Sequence, residues 1–150
     1  MIRWQKNILI FIVVGFLTDA GLSAYDGSPR CFRELQRNFF QPSTVSLALS
    51  FYRNIPQPQW LIISRALQAR NGTIPQLMRD QARRLRPNPL EDPFDPVGAE
   101  DLFRQVLWTI FADVMIQNGV SRPSQIEGAF NSIWRKESGR IADCLGLPPR

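Results

Sequence analysis

The sequence predicts an all-α fold: a compact bundle of five or six helices, with the N- and C-terminal helices linked by one disulfide. Residues that begin and end helices are frequent along the 150-residue chain, whereas features typical of β-hairpins are scarce. Apolar residues recur every three or four positions in the longer segments, as expected for amphipathic helices. With 44% hydrophobic residues, the chain can bury one substantial core.

Residues 1–24 are predicted to form a cleavable secretory signal peptide. Two positive charges precede the apolar segment Ile8–Leu17, and small residues follow it. Cleavage is expected after Ala24 or, as a second choice, after Ala20. An uncleaved membrane anchor is the alternative, but the apolar segment is short for a spanning helix. Residues 25–150 are then expected to form a single helical domain in the periplasm, a lumen or outside the cell.

Cys31 and Cys144 are the two cysteines of the chain. An isolated pair usually forms a disulfide in an oxidising compartment, so a bridge between these residues is predicted. The chain has no histidine, and two cysteines so far apart do not match a zinc-binding signature. No metal and no cofactor are therefore expected.

Three segments of the first half are predicted to be helical. The first helix is expected to begin at Pro29 and to end before Pro42. Residues 44–52 show the alternation of a strand, but no second strand is available, so a helix is favoured over a strand. A clearer helix begins near Pro58 and is predicted to end with a cap at Asn71-Gly72. Asn71-Gly72-Thr73 also matches a glycosylation acceptor, which leaves the modification of Asn71 open.

Three helices are predicted in the second half. One runs from about Ile74 to Arg86 and is followed by a loop that contains four prolines. The next, from about Ala99 to Asn118, should be central because apolar residues cover more than half of its circumference. The segment Ser124–Glu127 predicts a capping box at the start of the last helix, and Gly146 predicts its end.

The absence of histidine excludes Ser-His-Asp and Cys-His catalysis within this chain. Carboxylate-pair chemistry stays possible, so the alternative function is a small exported carboxylate-dependent hydrolase such as a lysozyme-like glycosidase. Its weak catalytic candidates are Asp113 and Glu137. Asp113 falls inside the apolar arc of its helix, where pairing with an arginine is the commoner outcome. Glu137 is expected to pair with nearby arginines on a solvated face.

The segment 79–96 contains the predicted binding site. On a helical wheel, Arg79, Arg83 and Arg86 form one stripe, and Leu90 and Phe94 follow in the proline-rich loop. These five residues are the predicted polar and apolar anchors of a contact with a partner. The helical wheel also places four residues toward the core and predicts an ion pair between two residues that are four positions apart. The core-facing residues are Leu77, Met78, Ala82 and Leu85, and the predicted pair is Asp80–Arg84.

Acids of the following loop balance the charge of these arginines, so nucleic acid is not an expected partner. The favoured function is a noncatalytic binding, assembly or accessory module that contacts another protein in the exported compartment. A peripheral membrane-surface protein that binds through the same arginines is a further alternative. The net charge of +5 is compatible with each of these functions. The identity of the partner and the oligomeric state stay open.

Overall fold

The computed structural model describes residues 29–85 and 96–148 and confirms the all-α fold. The helices are α1 (Pro29–Arg37), α2 (Pro42–Leu49), α3 (Gln57–Arg70), α4 (Ile74–Leu85), α5 (Pro96–Gln117) and α6 (Pro123–Leu145), with a 3-10 turn at Asn71–Thr73. Residues 44–52 belong to α2 and the turn after it, so the helical prediction is confirmed there. The predicted signal peptide lies outside the described residues. Within those ranges, none of the helices has the length and hydropathy needed to cross a bilayer.

The α5–α6 hairpin forms the centre of the bundle. Helix α5 packs against α3, α4 and α6, while α6 also packs against α1 and α2. The turn between them is made by Gly119, whose φ of 84° is in the left-handed region. The amide of Val120 donates to the carbonyl of Met115 (2.9 Å), which caps the last turn of α5. The predicted central position of α5 is confirmed.

Aromatic side chains fill the core around Phe103 of α5. Its ring lies 5.1 Å from Phe32 and 5.4 Å from Phe39, both in edge-on arrangements that aromatic pairs favour. Trp134 of α6 and the pair Phe111–Phe130 extend the same cluster. The aromatic residues of this cluster that are buried are Phe32, Phe39, Phe103, Phe111, Phe130 and Trp134.

A disulfide joins Cys31 of α1 to Cys144 of α6, as predicted. The two Cα atoms lie 5.4 Å apart across a sequence separation of 113 residues. The bridge therefore fastens the first described helix to the last turn of α6. Disulfides of this kind fit a location outside the reducing cytoplasm.

Helix α6 begins earlier than its predicted capping box. Its N-cap is Arg122, which makes no side-chain capping bond, and Pro123 is the first helical residue. Proline fits this position because its φ is already helical and its missing N–H would have no partner there. Ser124 and Glu127 consequently lie inside the helix, and the prediction of a capping box was wrong. The predicted end is confirmed, since Gly146 is the C-cap with φ of 71°.

At the corner between α3 and α4, helix α3 ends at Asn71, its C-cap, where the Asn71-Gly72 cap was predicted, but Gly72 is not left-handed. Asn71 has right-handed helical backbone angles and opens a 3-10 turn that leads directly into α4. Its side-chain amide is buried and donates to the carbonyl of Arg37 (2.8 Å) at the end of α1. This tertiary bond fixes the corner, so a left-handed glycine is not needed. In the folded chain the Asn71 amide nitrogen is engaged and is not presented for glycosylation.

Candidate binding surface

Trp108 lies on an exposed ridge between two grooves on the α4–α5–α6 side of the molecule. Its side chain is 36% exposed. The edge of one ring packs against Phe130, with centroids 5.4 Å apart and planes at 78°. No hydrogen-bond partner for the indole N–H is found among residues 29–85 and 96–148. We call Trp108 and the residues that line the two grooves the Trp108 surface.

The larger groove lies between α4 and α5 and has a volume of about 410 Å³. Its apolar lining is Leu77, Val106 and Trp108, and its polar lining is Asp80, Gln81, Arg84, Gln105 and Thr109. Gln81 of α4 donates to Gln105 of α5 (3.3 Å), so a hydrogen bond links the two walls. Arg84 lies against Gln81 at a longer distance of 3.4 Å. The groove thus combines an apolar lining with adjustable polar groups.

The smaller groove lies between α5 and α6 and has a volume of about 210 Å³. Arg104 is held at its edge in two ways. Its guanidinium donates to Asn131 (3.0 Å) and lies 5.2 Å above the ring of Trp134. Glu127 and Phe130 complete the lining beside Trp108. An arginine fixed by a hydrogen bond and by an aromatic face is presented in a defined orientation.

The predicted arginine stripe is only partly described, because Arg86, Leu90 and Phe94 lie outside the described residues. Arg79 and Arg83 are exposed on α4, and neither lines the larger groove. Arg79 donates to Gln76 (2.8 Å). Each described arginine of the stripe therefore has a partner within α4, since Arg83 pairs with an acid of the same helix.

Two predictions for α4 were wrong. Asp80 pairs with Arg83 (2.6 Å) and not with Arg84, because the i, i+3 geometry brings the Arg83 guanidinium onto the carboxylate. Leu85 was predicted to face the core but is more than half exposed. The main contacts of α4 are with α5 and with the α3–α4 corner. Met78 is buried as predicted, and Leu77 and Ala82 are partly buried against the core.

The two candidate catalytic acids are each paired with an arginine. Asp113 accepts from Arg70 of α3 (2.9 Å) and from Gln117 (3.2 Å), and its side chain is more exposed than predicted. Glu137 pairs with Arg140 (2.6 Å), but its side chain is only 6% exposed. The predicted pairing is confirmed for both acids. The predicted solvated position of Glu137 was wrong, because this side of α6 is covered in the bundle.

The exposed apolar side chains of α2, of the turn after it and of α3 were not predicted from the sequence. Leu47, Phe51, Leu61 and Ile62 are each about half exposed or more, and Phe51 reaches 70%. A signal was available in the sequence, since residues 35–79 contain no aspartate or glutamate. An apolar and acid-free segment differs from the charged surface that most exposed helices carry.

Within the described ranges, no group of three or more histidine, cysteine, aspartate or glutamate residues could hold a metal ion. Neither Asp113 nor Glu137 lines either groove. No protein-family model, curated protein sequence or solved structure matches this chain.

Proposed function

We propose that this protein is an exported, noncatalytic helical module that binds or assembles with another protein through the Trp108 surface. The placement of Trp108, exposed on a ridge between two grooves, carries this proposal. Tryptophan and arginine are enriched among the residues that dominate binding energy in protein interfaces. Arg84 and Arg104 flank Trp108, one in each groove. A central aromatic anchor with flanking arginines is typical of an interface centre.

The anchor residues are partly ordered before any partner binds. Trp108 packs against Phe130, and Arg104 is held by Asn131 and the Trp134 ring. Side chains that are already fixed lose less conformational entropy when a complex forms. This preorganisation favours a specific contact over a nonspecific one. Arg79 and Arg83 are exposed but do not line the larger groove, and we assign them to the rim of the contact.

The positions of the candidate acids favour a noncatalytic role. Glycosidases that use two carboxyl groups place them roughly 5–10 Å apart across one cleft. Asp113 lies near the end of α5 beside α3, whereas Glu137 lies in the second half of α6. Since α5 and α6 are antiparallel neighbours, Asp113 lies near the turn of the hairpin and Glu137 lies in its other half. Each is already engaged by an arginine.

Export is part of the same proposal. The Cys31–Cys144 bridge ties two helices together and persists most readily in an oxidising compartment. The predicted signal peptide at residues 1–24 supplies a route to such a compartment. The partner is therefore expected in the periplasm, a lumen or the extracellular space. Amino-terminal sequencing of the mature protein tests the route, and an intact Met1 in the purified protein would contradict cleavage.

Site-specific photocrosslinking tests the contact surface. A photoreactive residue at Gln105, in the larger groove, should give a discrete protein adduct in the native cells. The same residue at Lys136, which is exposed on α6 and lines neither groove, should not. Trp108→Ala should lower the adduct from position 105 by at least about tenfold, because interface anchors contribute about 2 kcal/mol or more.

Several variants separate binding from folding. Trp108→Phe keeps a ring against Phe130 and removes the indole N–H, and it should lower the adduct less than Trp108→Ala. Arg84→Ala should lower the adduct more than Arg79→Ala, since Arg84 lines the groove. Arg135→Ala, another exposed arginine, is the matched control. An adduct that is unchanged in folded Trp108→Ala and Arg84→Ala variants would refute the proposed surface.

A further inference from the structure

We propose that the outer face of the α2–α3 pair docks on an anionic membrane surface, independently of the Trp108 surface. We call this region the α2–α3 face and define it by the apolar residues Leu47, Phe51, Leu61 and Ile62 together with Arg53 and Arg65. None of these residues lines the two grooves beside Trp108. The two surfaces therefore belong to different parts of the bundle.

Helices α2 and α3 form an antiparallel pair with neighbouring outer sides. Near the start of α2, the carbonyl of Phe40 accepts from Gln68, which lies late in α3 (3.3 Å). At the other end, the indole N–H of Trp60 donates to Ile55 in the connection between the helices (2.9 Å). The two helices also pack against each other. Exposed residues of α2, the connection and α3 consequently share one region of the surface.

The apolar part of this region is large for an uncovered surface. Its four apolar side chains are each about half exposed or more, and Phe51, just after the end of α2, is the most exposed. Among the described residues, nothing covers them. Large exposed apolar side chains that share one region, especially with charged neighbours, mark sites of protein or membrane contact. Phe51 is the side chain best placed to enter an apolar phase.

The charge of the region has one sign. Residues 35–79 contain no acid, and Arg53 and Arg65 are exposed. Neither arginine has a side-chain hydrogen bond or an ion pair with any described residue. Arg70, by contrast, is neutralised locally by Asp113 of α5. The α2–α3 face therefore presents uncompensated positive charge beside its apolar side chains.

The combination of exposed apolar side chains and arginines that are unpaired among the described residues indicates which kind of partner binds the α2–α3 face. In a symmetric dimer the same patch faces itself, so Arg53 and Arg65 would oppose like charges without an acid from residues 35–79. The occupant must instead supply negative charge next to an apolar interior. An anionic bilayer supplies both and accepts an amphipathic helical surface without needing a shaped groove.

The partners of the α4 arginines disfavour membrane contact through the predicted stripe. Arg79 and Arg83 are engaged by Gln76 and Asp80 of the same helix. A headgroup phosphate would have to compete with these partners. Arg53 and Arg65 have no such partners among the described residues, so a headgroup phosphate can bind them without displacing another group. The membrane contact is therefore assigned to the α2–α3 face.

An environment-sensitive dye tests the contact directly. Phe51→Cys introduces a thiol that can be labelled without reduction, because Cys31 and Cys144 are bridged to each other. The protein is used in the form purified from the cells that produce it. With vesicles containing phosphatidylglycerol, the dye at position 51 should shift to the blue and become shielded from an aqueous quencher. With pure phosphatidylcholine vesicles it should not, and a dye at Lys136→Cys should stay aqueous with both.

Two double variants with reversed charges test which face binds the membrane. Arg53→Glu/Arg65→Glu should weaken the shift of the position-51 dye by at least about tenfold, since each basic residue near an anionic surface contributes to binding. Both positions are exposed and unpaired within the described chain, so folding should be preserved. Arg135→Glu/Lys136→Glu changes the net charge equally on α6 and should weaken the shift less. High salt should release the protein from the vesicles.

Three results would overturn the inference. The first is an aqueous dye at position 51 in the presence of phosphatidylglycerol vesicles. The second is equal loss of binding in both charge-reversal pairs, because net charge alone would then explain it. The third is a discrete protein adduct, and no lipid adduct, from a photoreactive residue at Ile62 in cells. None of these results alters the expected adduct from Gln105, so failure of this inference is distinguishable from failure of the Trp108 surface.

Discussion

The Trp108 surface and the α2–α3 face are both exposed, but they combine charge and apolar area in opposite ways. On the Trp108 surface, one aromatic side chain lies between polar groups, and Arg104 is held by Asn131 and an aromatic ring. On the α2–α3 face, several apolar side chains surround arginines that have no partner among the described residues. The first arrangement suits a shaped protein partner, and the second suits a flat anionic one.

This difference shows that the number of arginines is a poor guide to an anion-binding surface. Helix α4 has the denser set, but Asp80 and the nearby glutamines engage its described arginines. Arg53 and Arg65 are fewer and far apart in sequence, yet no acid is present between residues 35 and 79. What matters is which groups already satisfy the guanidinium in the free protein.

The largest expected effect tests whether both surfaces require the folded bundle. Replacing Cys31 and Cys144 by serine should lower the free energy of unfolding by about 4–5 kcal/mol, because a loop of about 100 residues loses its cross-link. Urea titration monitored by circular dichroism measures this loss. At urea concentrations above the unfolding midpoint of the variant, the adduct from a photoreactive residue at Gln105 should vanish. Vesicle binding that persists in the unfolded variant would mean that α2–α3 binds as a peptide and not as a folded face.

A smaller loss of stability is expected when the packing beneath the α2–α3 face is disturbed. Gly128 of α6 lies under the hydroxyl of Tyr52, the residue after Phe51, and an added Cβ would collide with that oxygen. Gly128→Ala should therefore cost about 1–3 kcal/mol, as overpacking usually does. It should also change the position-51 dye signal while leaving the adduct from Gln105 intact. Thermal and urea unfolding provide the stability measurement.

Two variants control that prediction. Tyr52→Phe removes the colliding oxygen, and the remaining ring carbon would be at an ordinary distance of 3.5 Å, so it should rescue Gly128→Ala. Gly139 lies in the same helix with nothing within 4 Å of its added Cβ. Gly139→Ala should instead stabilise by about 0.5–1 kcal/mol through helix propensity. Equal destabilisation at both glycines would contradict the role assigned to Tyr52.

The smallest effect concerns the ion pair between the two regions. Arg70 of α3 and Asp113 of α5 have side chains that are 34% and 46% exposed, so solvent screens their attraction. Asp113→Asn should lower the free energy of unfolding by less than about 1 kcal/mol. The loss should shrink in high salt, which urea titrations at two ionic strengths can show. A loss of more than about 2 kcal/mol would indicate that Asp113 has a larger role than this pair.

The sequence was sufficient for features that depend on local patterns. The apolar repeats of α5 predicted its central position, and the isolated cysteines predicted the bridge that is observed. Gly146 was recognisable as a cap because a left-handed residue ends many helices. Pro123 shows the limit of this approach, since a proline competed with a plausible capping box for the start of α6.

Features that depend on tertiary neighbours were not predictable in the same way. Leu85 and Leu61 lie at apolar positions, but which side of a helix is covered depends on where other helices pack. Trp108 is partly exposed because its position lies beside two grooves that require α4 and α6 on either side, and the sequence alone does not place those helices. The partner of Asp80 was mispredicted because two arginines, three and four residues away, could reach it, and side-chain conformation decides between them.

The bridge between Cys31 and Cys144 also makes most of the described chain a covalent ring. A single backbone cut inside the ring, for example at the exposed Ser121–Arg122 turn, does not release a fragment until the disulfide is reduced. A molecule nicked once by a protease would therefore keep α2, α3 and the helix that carries Trp108 on one covalent unit. In a compartment rich in proteases, such a ring protects the linkage between the two surfaces even where it does not protect every peptide bond.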